Sequence, residues 1–319
     1  MTLLLLLSAL ADEGPAAASA QERLDTAWRR IDLGDFEGAR ILADEVRELE
    51  PAWEQELTYL EGVSFQLERD HDSALVVFDR LVDTWPDGGR VLDTNFRRAL
   101  TMADAGRHDD AMDALRRLKP YGKLPDEARA KIGFCEATWL FETGKTGPGL
   151  RKITKALRKT APDALTWFQA RARHAVLTHA VEASMVLDFA GVPERKLKSV
   201  LEDRAVYVLS AEAELNALVD LGETWFILEG LREVGDAYAD LARDFRDAPT
   251  PDGLGLVEAA KYRIGMDERA AIQLVKARKY FDLGVEHATR IGWLGDEGEV
   301  LRARLDAVDA EIEALEAEE

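Results

Sequence analysis

Five histidines, one cysteine and a large number of carboxylates are the residues of this 319-residue chain with which chemistry could be done. His174 and His179 stand five apart, which puts them on different faces of a helix; a zinc-binding helix sets its histidines four apart. His71 and His108 fall at turn positions, where packing over a helix junction is the expected role, and His287 stands alone near a predicted helix end. Gly144-Lys145-Thr146 has the closing residues of a phosphate-binding loop. That loop also needs a glycine five residues earlier, where Trp139 stands, and a preceding strand. Cys135, next to Phe134 and near Ala137 with no basic neighbour, reads as a buried side chain and not as a nucleophile. A single cysteine also excludes an internal disulfide and any multi-cysteine metal site. No acid–base pair stands out among the carboxylates. The expectation is a non-enzyme with no catalytic residue, no metal and no cofactor.

The elements that would position these residues are helical. The chain is 47% hydrophobic and 32% charged and rich in Ala, Leu, Glu and Arg, a composition that excludes collagen and low-complexity disorder. Its formal charge of -20 would repel duplex nucleic acid, so no nucleic-acid partner is expected. Past the first dozen residues no apolar run is long enough to span a bilayer. Leu3 to Ala11 is apolar, Gly14-Pro15 breaks any helix there, and Ala18-Ser19-Ala20 has the small-x-small form of a signal-peptidase site before Gln21. Residues 1–20 are therefore expected to be a signal peptide, and the protein to be periplasmic or envelope-associated. A cytoplasmic adaptor is the alternative.

The strongest signal is internal self-similarity. Asp32-Leu33-Gly34-Asp35 is followed by Ala39 and stopped by Pro51; Glu68-Arg69-Asp70-His71 by Ala74 and Pro86; Ala105-Gly106-Arg107-His108 by Ala111 and Pro120; and Thr143-Gly144-Lys145 by Gly149 and Pro162. The alanines are 35 and 37 residues apart, the first three prolines 35 and 34. Glycine ends one helix through a left-handed residue, Asp or Thr caps the next, a small alanine permits close approach, and proline stops the second helix. Phe78, Leu115 and Ile153 supply bulk one turn after the small residue, with Ala43 the exception. These motifs resemble the tetratricopeptide repeat (TPR) family, whose period is ~34 residues with two helices per repeat. The resemblance covers residues 21–162 as four repeats. It implies an all-α fold, a right-handed superhelix of antiparallel helix pairs, continued by longer helices.

In such a superhelix the first helices line a concave wall. The register puts Tyr59, Phe96 and Phe134 at an inward position, with Leu100 one turn on and Phe141 in the last copy. That aromatic row would suit a protein or peptide partner, the rival role for the rings being packing between repeats. The Lys and Asn by which some family members clasp carboxyl termini are replaced here by Tyr59, Val63, Phe96 and Leu100. A second candidate is electrostatic. Between Leu115 and Lys159 the chain carries an excess of eight positive charges, and Arg151, Lys152, Lys155, Arg158 and Lys159 form a basic patch. It would dock an acidic peptide, an anionic surface or the chain's own acidic carboxyl-terminal helix.

Beyond Pro162 the spacing lengthens. Ala164 to Phe189 is expected to be a bridging helix (residues 163–190), and residues 191–319 a helical domain with stretches at Lys196–Leu218, Gly222–Arg246 and Leu256–Arg290 and a last acidic helix. The function these features imply is that of a non-catalytic scaffold binding a partner in its groove. The rival is a helical ligand-binding protein or enzyme with a site in the second half, around Trp167, His174, Trp225 and Tyr262.

Overall fold

Gly34, Pro51, Pro86, Gly106 and Gly144 each follow closely on a helix end in the structure. The computed structural model describes residues 19–118, 124–161, 164–187, 192, 194–251 and 253–318. The apolar amino-terminal run, Pro120, Pro162 and the stretch from Phe189 through Gly191 lie outside the described residues. Among the described residues there is no strand, and thirteen α-helices: α1 (Ala20–Asp32), α2 (Phe36–Leu49), α3 (Glu54–Leu67), α4 (His71–Thr84), α5 (Val91–Asp104), α6 (His108–Leu118), α7 (Asp126–Glu142), α8 (Thr146–Leu157), α9 (Thr166–Met185), α10 (Glu194–Leu221), α11 (Thr224–Asp247), α12 (Leu256–Ile291) and α13 (Glu297–Glu318). They pack in adjacent pairs, α1 with α2 through α11 with α12, and α13 lies against α12.

The local reasons match the sequence. Asp35 and Asp70 accept the backbone N–H groups of Gly38 and Ser73, capping α2 and α4. Ser19 caps α1, accepting from the Glu22 amide while its own amide donates to the Glu22 carboxylate. Cleavage before Gln21 would thus remove the cap. Ala39, Ala74 and Ala111 are buried, as are Phe78, Leu115 and Ile153. Gly149 stands where alanine is expected from the other copies, and a Cβ there would lie 2.7 Å from the Phe141 ring.

The core runs as a series of clusters, from Leu24 to Leu81, from Phe96 to Val176, and through the helices from α9 to α13; Trp167 packs on both of the last two. α7 packs on α9 and α9 on α11, so the second half continues from the first. The chain also closes on its start: the Leu294 amide donates to the Leu33 carbonyl at 2.7 Å, and Trp293 lies on the α1–α2 turn, 2.8 Å from where a Cβ on Gly34 would sit.

Candidate functional site

The five residues expected on an open aromatic wall are inside the protein. Tyr59, Phe96, Leu100, Phe134 and Phe141 are all buried, Phe96 completely. Phe96, Leu100, Phe134 and Phe141 share a core cluster with α9, whose Phe168 lies edge-on to Phe96 at 6.1 Å between ring centres, and Tyr59 packs in the cluster built by α1 to α4. The Tyr59 hydroxyl accepts a hydrogen bond from Arg97 Nε at 2.9 Å, and its ring lies 6.1 Å from Trp28. These side chains hold helices together; as a recognition surface the row is corrected.

The basic patch is at the surface. Arg151, Lys155, Arg158 and Lys159 are exposed at and beyond the last turns of α8, where cations also suit the helix dipole, and Lys152 pairs with the buried Glu136. The acidic α13 does not cover it, packing instead against α12 and α11.

A basin of about 500 Å³ lies elsewhere, where the ends of α3, α5 and α7 meet the sides of α9 and α11. Four of the five histidines, His71, His108, His174 and His179, line it, with Trp167 and Trp225. His71 and His108 reach it because each opens the helix that follows a hairpin turn. Of the rival site, Trp167, His174 and Trp225 meet here; Tyr262 packs instead against the core of the second half.

Two charge networks brace the walls. Arg171 of α9 donates to Asp104 and to Glu142, the latter at 2.6 Å. Burial pushes the Glu142 carboxyl above its ordinary range, more than Arg171 pulls it down. On the opposite wall, Glu233 accepts from Thr178 Oγ1 at 2.8 Å, and His174 Nε2 lies 3.3 Å from its other oxygen. Burial raises the Glu233 carboxyl, but His174, Thr178 and Arg232 together outweigh it and hold it below its ordinary value. One turn earlier on α11, Glu229 is clasped from two sides, by Arg232 at 2.7 Å and by Arg69 at 3.1 Å. The Arg69 guanidinium also lies 5.2 Å over the Trp225 ring.

Arg69 sits at an unusual backbone position. The α1–α2, α5–α6 and α7–α8 turns each pass through a left-handed glycine, Gly34, Gly106 and Gly144 (φ 77°, 75° and 71°); the α3–α4 turn passes through Arg69 at φ 67°. An arginine there costs backbone strain that glycine avoids. Chemically the basin offers aromatic faces, both signs of charge and imidazole, while the thiol of the buried Cys135 is pushed far up by desolvation. No protein-family model matches the chain, and no curated protein matches it.

Sequence reasoning found His174, Trp167 and Trp225 but missed Arg69, Arg171, Glu229 and Glu233. The four-residue spacing of Glu229 and Glu233 within an apolar stretch of α11 was the available signal.

Proposed function

We propose that this chain is a non-catalytic binding protein on a TPR-like frame, which takes a short segment of a partner protein into the basin between α9, α11 and the hairpin turns. Helix pairs following one another from α1 to α12 support a right-handed superhelix of the TPR type, its inner space narrowed by the second half. The observation that carries the reading is the convergence of Trp225, Trp167, Arg69 and four histidines on one concavity of about 500 Å³. Aromatic faces supply contact area at little entropic cost, and paired charges of both signs suit a peptide's polar backbone and termini. The apolar run at Leu3–Ala11 supports export, and sequencing the amino terminus of the native product tests it.

Displayed random hexapeptides, selected on the purified chain, test the binding reading. Enriched peptides are expected to lose roughly tenfold or more in affinity for Trp225→Ala, a buried aromatic anchor being worth ~2 kcal/mol. They are expected to bind a Lys155→Glu/Arg158→Glu variant as they bind the wild type. Peptides indifferent to Trp225, or dependent on the α8 patch, would move the site; failure to enrich any peptide would end the peptide reading.

A further inference from the structure

Where α11 meets α9, at the edge of the basin, a set of donors is left incomplete by its present contacts. Glu229 and Glu233, one turn apart on α11, and His174 from α9 place one ligand atom each within 4.8 Å of one another. His174 is 7% exposed and Glu229 5%. Yet His174 Nε2 is buried with no well-formed hydrogen bond, its nearest polar neighbour being a Glu233 oxygen at 3.3 Å. A buried imidazole nitrogen without a well-formed hydrogen bond is unfavourable, and a metal ion held between that imidazole and the two nearby carboxylates would complete it.

The carboxylates are balanced by two cations of different character. Arg232 is built in: on α11 itself, it reaches Glu229, Glu233 at 3.6 Å and Asp236 at 3.2 Å. Arg69 is a visitor. It comes from the α3–α4 turn, its side chain is 57% exposed, and it touches only Glu229 and the face of Trp225 among these groups. Its backbone occupies the left-handed conformation that glycine takes at the three corresponding turns.

We propose that His174, Glu229 and Glu233 form a binding site for a first-row divalent cation, and that Arg69 is the resident counter-cation which swings into solvent when the metal enters. One imidazole and two carboxylates suit Zn²⁺, Co²⁺ or Mn²⁺ and leave coordination positions open toward the basin. No bond is made or broken apart from the metal's own coordination. The site shares His174 and Arg69 with the peptide reading but does not require it, since a metal held by His174, Glu229 and Glu233 needs no peptide in the basin.

The test is titration of the chelator-treated full-length chain with Zn²⁺ by calorimetry, and with Co²⁺ by its visible absorption. One saturable equivalent is expected for the wild type, weakened by about tenfold or more in His174→Gln and in Glu233→Gln. Arg69→Gly, which removes the competing cation and gives the turn the residue its φ favours, is expected to bind Zn²⁺ tighter than the wild type. Circular dichroism and thermal melts establish that each variant is folded, and Trp225→Ala, expected to end peptide capture, retains Zn²⁺ binding. No saturable binding to either wild type or Arg69→Gly would overturn the site. So would affinity unchanged in His174→Gln, which would put the metal on other histidines of the basin. Weaker binding by Arg69→Gly would overturn the role given to Arg69.

Discussion

An arginine in a left-handed turn exposes two opposing terms at one residue. The φ of 67° at Arg69 costs a side chain with a β-carbon about 1 kcal/mol relative to glycine, while its guanidinium gains the buried Glu229 and the Trp225 face. Arg69→Ala keeps the strain and loses the contacts; Arg69→Gly loses both. Urea denaturation should therefore find Arg69→Gly more stable than Arg69→Ala by ~1 kcal/mol, despite glycine's greater freedom when unfolded. Equal stabilities would mean that the turn relaxes at no cost. The three turn glycines were legible because glycine announces a left-handed residue. Arg69 was not, because nothing in an arginine's type signals its φ, and Glu68-Arg69-Asp70-His71 reads as ordinary solvated turn residues.

At the scale of elements, helix boundaries were legible and helix faces were not. The expected Lys196–Leu218, Gly222–Arg246 and Leu256–Arg290 correspond to α10, α11 and α12 within a few residues, since turn residues and hydrophobic period act locally. Phe96 and Phe134 were placed on the correct helices, but whether their face meets solvent depends on α9, whose Phe168 lies seventy-two residues along from Phe96. No local pattern carries that. The same long-range joint fixes the sign of a pH effect. Glu233 of α11 is held below its ordinary pKa of 4.5 against burial, by His174 and Thr178 of α9 and by Arg232. A carboxyl depressed by folding stabilises the fold fully above its unfolded pKa and loses that contribution as pH falls through its folded value. Glu233→Gln should accordingly lower stability by roughly 1–3 kcal/mol at pH 7, and the gap from wild type should narrow as pH drops below about 4.5. Glu142, raised by burial, works the opposite way, its contribution diminishing as pH rises above that same range. Thermal melts of wild type and Glu233→Gln at pH 7 and pH 3.5 check the sign. A gap that widens on acidification would show that the α9–α11 joint does not hold Glu233 ionised.

The whole molecule sets a net charge of -20 against a contact between its two ends. Like charge spread over a long helical array favours extension, and the self-repulsion reaches ~30 Å at 0.01 M salt but only ~8 Å at 0.15 M. What opposes it is small. The α12–α13 loop places Trp293 on Gly34 and donates one backbone hydrogen bond to Leu33, while Arg69 reaches across to Glu229 between this contact and the basin. Each helix pair has its own neighbours, so opening the end contact need not melt any helix. Trp293→Ala is therefore expected to leave the far-ultraviolet circular dichroism unchanged while increasing the radius of gyration in X-ray scattering. The increase should be larger at 0.01 M salt than at 0.15 M, because only the unscreened charge pushes the ends apart once the indole is gone. An unchanged radius at both salt concentrations would mean that the packing of α9 and α11 against the first half, and not the meeting of the ends, fixes the curvature that forms the basin.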